Sequence, residues 1–255
     1  MSVLLWLLAI IVFLAVVYAL GPRADRSWSM PKLSVPKDVE NLEVYLHEAE
    51  RGLPIKPGLE KQFLWAHHDK RKTDIALVFL HGYTASNLEL DPAIRDLARA
   101  LEANIYFTRF AGHGLDDEGE ALDKATFSDW VDDTAEALEI GKIIGTKSLV
   151  ISSSTGGSMA MWGAQHMPDK IDGFLFSSPN FKINHPLSFM LTMPWARQIT
   201  KLVEPERRAW DGEDWWGEAE WEQARNSGTM EQYTTSVLPV SVASLQARRA
   251  KFEDI

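Results

Sequence analysis

Leu149-Val150-Ile151-Ser152-Ser153-Ser154-Thr155-Gly156-Gly157-Ser158 is the stretch that decides how this chain is read. An apolar run of strand length passes through small residues straight into a helix that begins near Gly156. A serine on so sharp a strand-to-helix turn has its hydroxyl pushed out at the C-terminal edge of a sheet, and small residues two before and two after it let the turn close. Ser154 holds that position. The usual pattern is G-x-S-x-G, whereas this chain has S-x-S-x-G, with Ser152 where glycine is commonest. Taken alone, such a turn also fits an ordinary loop, so the segments around it must decide.

On both sides of it the pattern alternates between short β-rich runs and longer stretches of 3.6-residue period, which predicts an α/β fold with a mainly parallel sheet and helices on both faces. The expected strands are Lys61 to His67, Ile75 to Leu80, Asn104 to Phe110, Ser148 to Ser152 and Gly173 to Ser177. Asp91 with Pro92 behind it reads as a helix start, followed by the stripe Ile94, Leu97, Ala98 and Leu101. Thr126 to Asp129 reads as a capping box, and Trp130, Thr134, Ala137, Leu138, Gly141 and Ile144 continue one buried face.

Two further strands end in glycine turns. Leu80-His81-Gly82-Tyr83 lets the backbone turn at Gly82 so that the amide of Tyr83 points beside Ser154. With the amide of Thr155 it would form a two-donor oxyanion hole, in which losing one donor typically costs about 100- to 1,000-fold in rate. His81 itself reads as a structural hydrogen-bonding residue. The second strand runs into Arg109-Phe110-Ala111-Gly112-His113-Gly114.

The His-Gly turn, the Gly-His-Gly turn and the Ser-x-Gly-Gly elbow, in this order and spacing, resemble the α/β-hydrolase fold family, in particular its bacterial esterase and lysophospholipase-like members. The resemblance runs from about Leu59 to Asn180 and includes Ser177-Ser178-Pro179-Asn180. It implies a serine nucleophile at Ser154, with the amides of Tyr83 and Thr155 as oxyanion donors. Dehalogenase and epoxide-hydrolase relatives carry aspartate at the elbow, so a serine there implies small ester, thioester or amide substrates.

A serine hydroxyl needs a base to take its proton, and a histidine base is normally oriented by a carboxylate. In this fold the order is serine, acid, histidine. Only His166 and His185 follow Ser154, and neither sits where the family's base does. The end of the chain, residues 239–255, reads as a return helix before strands that would carry the acid and the histidine. The expectation is therefore a chain lacking its last two strands, with triad acid and base unknown. Residues 181–238, with Trp195, Trp210, Trp215, Trp216 and Trp221 among acidic residues, occupy the place of a lid; plain packing on the sheet accounts for them equally.

Val3 to Leu20 carries no charge over 18 residues, about 27 Å of helix against a bilayer core of about 30 Å. A cleaved signal peptide and a core helix compete with a membrane anchor for this stretch. No Lys or Arg opens it, as a signal peptide requires, and no polar face breaks it, as a core helix requires. The division expected is thus a transmembrane anchor over 1–22, a proline-rich tether over 23–58, the hydrolase core over 59–180, the lid and the return helix. Arg23, Arg26, Lys32 and Lys37 follow the span with no Lys or Arg before it, which places the folded part in the cytoplasm.

With 26 Lys plus Arg against 36 Asp plus Glu, the net charge of −10 argues against a nucleic-acid partner. No cysteine is present, so disulfides, zinc-thiolate sites and cysteine nucleophiles are excluded. No metal-ligand spacing and no nucleotide loop appears, so no cofactor or metal is expected. Two classes of function remain: a membrane-anchored serine hydrolase of carboxylic esters, and a non-catalytic binding protein that kept the fold without its base. A weaker variant of the first uses His185 as an improvised base reaching back from the lid.

Overall fold

The computed structural model describes residues 2–117, 119–182 and 186–203 of the 255-residue chain. Its centre is one sheet of β1 (Gln62–Leu64), β2 (Thr73–Leu80), β3 (Asn104–Phe107), β4 (Gly145–Ser153) and β5 (Gly173–Ser177), in the spatial order β1-β3-β2-β4-β5. The β2–β3, β2–β4 and β4–β5 pairs are parallel, and β1 joins β3 antiparallel. All five strands fall where the sequence expects them, though β3 stops at Phe107.

The helices, in chain order, are α1 (Ser2–Ala19), α2 (Leu42–Ala49), α3 (Ala93–Leu101), α4 (Glu120–Lys124), α5 (Phe127–Ile144), α6 (Ser154–His166) and α7 (Ala196–Val203). They cover both faces of the sheet because side chains alternate along a strand. Ala76, Val78 and Leu80 of β2 join a core with Trp130 and Leu138 of α5 and Met159 of α6. Leu77 and Phe79 join a second core with Ile94 and Ala98 of α3. Residues of β2 are therefore apolar on both faces, as a central parallel strand requires.

Local signals hold with one exception. Thr126 and Asp129 form the expected capping box, and every residue of the α5 stripe is buried. Asp91, however, does not cap α3: Pro92 takes the N-cap place and the Asp91 carboxylate accepts instead from Arg95 Nε at 2.9 Å. Its side chain thus serves an ion pair one turn apart, not the helix start.

Residues 22–36 have no regular secondary structure, yet Trp28, Leu33 and Val35 pack against the core, and Leu42 and Leu46 of α2 are part of it. This stretch follows the surface of the domain. Every described side chain from Val3 to Leu20 is exposed. Among the described residues no helix is long and apolar enough to cross a membrane; α1 comes to about 27 Å, some 3 Å less than a typical bilayer core. The helix expected at 1–22 is present and uncharged, but its spanning a membrane is not established by the fold. Its last turn is held by Trp195, whose indole donates to Val17 O at 2.8 Å and whose amide donates to Pro22 O at 2.9 Å. Of the expected lid, Trp195 is placed; Trp210, Trp215, Trp216 and Trp221, and the return helix at 239–255, lie outside the described residues.

Candidate active site

β4 ends at Ser153 and α6 begins at Ser154, with no loop between them. Ser154 has φ +44°, in the left-handed region that non-glycine residues avoid, a conformation costing about 1–3 kcal/mol that the surrounding packing must hold in place. Gly156 lies so close to β2 that a Cβ there would run into the carbonyl oxygens of Leu80 and His81. Gly157 lies against Pro179, where a Cβ would stand at 2.8 Å. The segment after β5 locks the turn from that side: Asn180 N donates to Ser154 O at 2.9 Å and Ser158 Oγ to Asn180 O at 2.8 Å. Ser152, in the usual glycine place, is fully buried, and its hydroxyl has no hydrogen-bond partner among the described residues.

Beside this turn lies the exit of β2. A Cβ on Gly82 would stand 3.1 Å from Ser154 Cβ, so the His-Gly turn and the elbow are in direct contact. Tyr83 follows, half-buried, in a turn closed by Ala85 N donating to Gly82 O at 3.4 Å. Burial pushes the Tyr83 hydroxyl pKa up, with the nearby Asp123 carboxylate adding to it. Thr155 is buried in the first turn of α6. The first amides of a helix have no partner within it, and they carry the positive end of its dipole. Ser154, Tyr83 and Thr155 are thus brought to one place at the C-terminal edge of the sheet.

The two histidines of the glycine turns serve the backbone. His81 Nε2 accepts from Phe110 N at 3.1 Å, so Nδ1 carries the proton and donates to Gly82 O at 2.8 Å. Its pKa is lowered to about 4 by burial. His113 Nε2 accepts from Thr84 N at 3.3 Å, leaving Nδ1–H to the carbonyls of Phe110 and Ala111, both at 3.2 Å. Burial first, and then the neighbouring His81, pushes its pKa well below the ordinary value. Both rings are neutral struts between the β2 and β3 exits, 4.8 Å apart. The structural reading of His81 fits this geometry.

His166 is not placed as a base. It ends α6, edge-on to Trp28 and tilted against Trp162; twelve residues of helix put it about 18 Å along the axis from Ser154. His185 lies outside the described residues.

The Gly-His-Gly turn is braced from below by buried charge. Asp133 accepts from Ala111 N at 2.7 Å and pairs with Lys61 Nζ at 2.9 Å, and Lys61 also pairs with Glu136. Burial alone would lower the Lys61 pKa, but the two carboxylates outweigh it and hold it above the ordinary value. Arg109 pairs with Glu50 at 2.7 Å and donates to His113 O at 3.0 Å.

Glu89 is a group that the sequence does not single out. Its Oε2 accepts from Gly82 N at 2.7 Å and its Oε1 from Ser153 Oγ at 2.9 Å. Burial raises its pKa above the ordinary carboxylate value, partly offset by those two hydrogen bonds. No group of three His, Asp or Glu among the described residues is arranged to hold a metal ion. A cavity of about 280 Å³ lies between Pro22–Asp25, Asp123–Phe127 and Met193–Gln198, and none of Ser154, Tyr83 or Thr155 lines it.

Solved structures share this architecture. A monoacylglycerol lipase of Paleococcus ferrophilus matches at 16% identity and a TM-score of 0.51, over 76% of this chain and 72% of its own. A soluble variant of the Saccharomyces cerevisiae monoglyceride lipase, in complex with a substrate analogue, matches at 15% and 0.52, over 76% and 66%. One of the metagenome-derived lipolytic enzymes LipS and LipT matches at 22% and 0.46, over 54% of this chain and 52% of that one, so the chain spans about half its length. The monoacylglycerol and monoglyceride lipase matches, at identities this low, show the fold alone. None of the curated proteins matches the chain. The family model described as serine aminopeptidase, S33, matches residues 71–251, which takes in the His-Gly turn, the Gly-His-Gly turn and the Ser154 elbow. The chain therefore belongs to this S33 (Hydrolase_4) family of serine hydrolases with the α/β-hydrolase fold.

Proposed function

We propose that this protein is a membrane-anchored hydrolase of small carboxylic or acyl esters, in which Ser154 is acylated and the amides of Tyr83 and Thr155 bind the oxyanion. The observation that carries the reading is Ser154 at φ +44° between β4 and α6, in contact with the Gly82 turn. A strained serine at a sheet edge, beside the first amides of a helix, suits attack on a carbonyl. The hydroxyl attacks the carbonyl carbon, the alkoxide leaves as the alcohol, and water releases the acid from the acyl-serine. The acid and base that move the protons are not assigned to residues of this chain.

The anchor is the uncharged α1, whose described side chains are exposed and whose missing few ångströms a slight thinning of the bilayer supplies. The basic residues after it support a cytoplasmic side for the folded domain. Extraction of membranes with alkaline carbonate should leave the protein in the pellet, and protease added to sealed vesicles of known orientation should report the side. Purified protein should hydrolyse p-nitrophenyl esters, and Ser154→Ala should abolish the turnover.

A second reading, a binding protein without catalysis, is favoured by one observation: His81 and His113 are both committed to backbone partners and His166 sits far along α6. It requires an intact protein inert to fluorophosphonate probes, so labelling of Ser154 would reject it.

A further inference from the structure

We propose that Glu89 is a positioning residue of the Ser154 site, clamping the Gly82 turn to the nucleophile elbow through Gly82 N and Ser153 Oγ. The inference rests on the hydrolase reading above and adds a residue to it.

The argument starts from what has to be aligned. The oxyanion donors come from two different elements, Tyr83 after β2 and Thr155 at the head of α6, and the reacting serine lies between them. β2 and β4 are hydrogen-bonded only as far as the Leu80–Ser152 pair. Beyond it, at Gly82 and Ser153, the ladder has ended, and the Glu89 carboxylate crosses the gap with one oxygen on each side, at 2.7 and 2.9 Å. Its two partners are the immediate neighbours of Tyr83 and Ser154. A Cβ on Gly82 would stand 2.8 Å from Glu89 Oε1, so the carboxylate is packed against the turn as well as bonded to it.

The chemistry supports a role beyond filling space. A half-buried carboxylate with a raised pKa and, among the described residues, no cationic partner is costly to keep, and an apolar side chain would fill the volume without that cost. A carboxylate, however, gives two acceptors about 2.2 Å apart on a rigid plane, which fixes the separation of the two donors. Glutamine has the same shape: its carbonyl can accept from Gly82 N and its NH2 can donate to the Ser153 hydroxyl, which rotates to accept.

The test is ester turnover and the rate of fluorophosphonate labelling at Ser154 in the intact protein, for the wild type, Glu89→Ala, Glu89→Gln, Ser153→Ala and the Glu89→Ala/Ser153→Ala pair. Misplacement of a reacting group by an ångström costs up to about 100-fold, so Glu89→Ala should lower kcat by roughly 10- to 100-fold with KM nearly unchanged. Glu89→Gln should recover most of that loss. Because Ser153 is one end of the clamp, the losses of Glu89→Ala and Ser153→Ala should not multiply in the pair. If Glu89→Ala fails to fold, Glu89→Gln and Ser153→Ala still decide: Gln active and Ser153→Ala slowed supports the clamp.

A kcat for Glu89→Ala within about twofold of wild type, a Gln variant as slow as Ala, or a loss confined to KM would overturn the proposal. These results differ from failure of the hydrolase reading itself. That failure would appear as turnover surviving in Ser154→Ala, or as no turnover and no labelling in the wild type.

Discussion

Gly82 and Ser154 lie against each other: a methyl group on Gly82 would stand 3.1 Å from Ser154 Cβ and 2.8 Å from Glu89 Oε1. This one contact joins the two parts of the chain, about 70 residues apart, that the proposed chemistry needs side by side.

Gly82→Ala should therefore strike activity before stability. The added carbon has to push either the serine or the carboxylate aside by a few tenths of an ångström, at the edge of the sheet where the backbone can give. Ester turnover should fall by roughly 10- to 100-fold, in line with the cost of misplacing a reacting group, while the thermal midpoint changes little. Steady-state kinetics on p-nitrophenyl butyrate beside a melting curve checks both halves.

Gly156→Ala should act the other way round. Its Cβ would collide with two backbone carbonyls, those of Leu80 and His81, which cannot rotate away as a side chain can. Overpacking of this kind costs typically about 1–3 kcal/mol, and a urea titration should show the midpoint falling by a corresponding amount.

Lys61→Met should be strongly damaging, because it removes the shared cation of two ion pairs. Asp133 and Glu136 would be left as buried carboxylates without their cation, and Tyr45 and Tyr106, which donate to Glu136 at 2.8 and 3.2 Å, cannot neutralise it. Breaking a buried pair from one side costs about 3–5 kcal/mol. Chemical denaturation would measure it, and a variant within 0.5 kcal/mol of wild type, roughly the scatter of surface substitutions, would speak against the network.

Acid should destabilise the domain through its struts. His81 is held at about 4 against an ordinary value near 6.5 in the unfolded chain. Between those values the unfolded state binds a proton that the folded state refuses, so stability rises with pH across the window. The contribution is complete above about pH 6.5 and is lost on going down toward pH 4, roughly 3 kcal/mol from His81 alone. His113 acts in the same direction. Urea midpoints measured from pH 7 to pH 4.5 should fall steadily, and a flat profile would show that neither ring is buried neutral.

How much of this was readable beforehand follows from the range of each interaction. The β4-to-α6 elbow, the capping box of α5 and the five strands are local, and local pattern found them. The place of β3 between β1 and β2 is not local, and nothing in the strands themselves encodes it. Asp91 stands one residue before the N-cap, which Pro92 takes, and its carboxylate pairs with Arg95 one turn on, a choice of partner that the Asp-Pro pattern alone does not encode. Residues 23–58 read as a tether from their prolines; within that stretch Trp28, Leu33 and Val35 pack against the core at an irregular spacing that no periodicity search would register. Glu89 was invisible for a related reason: a lone acid between leucines gains its meaning only once β2 and β4 are neighbours. The family membership was legible in three glycine turns, and the family model over residues 71–251 bears it out.

The most direct test of the account is peptide mass spectrometry of the intact protein after reaction with a fluorophosphonate probe. The expected result is a single adduct on the Ser154 peptide, lost in Ser154→Ala together with ester turnover. An active protein that carries no adduct there, or a Ser154→Ala variant that still turns over ester, would contradict it.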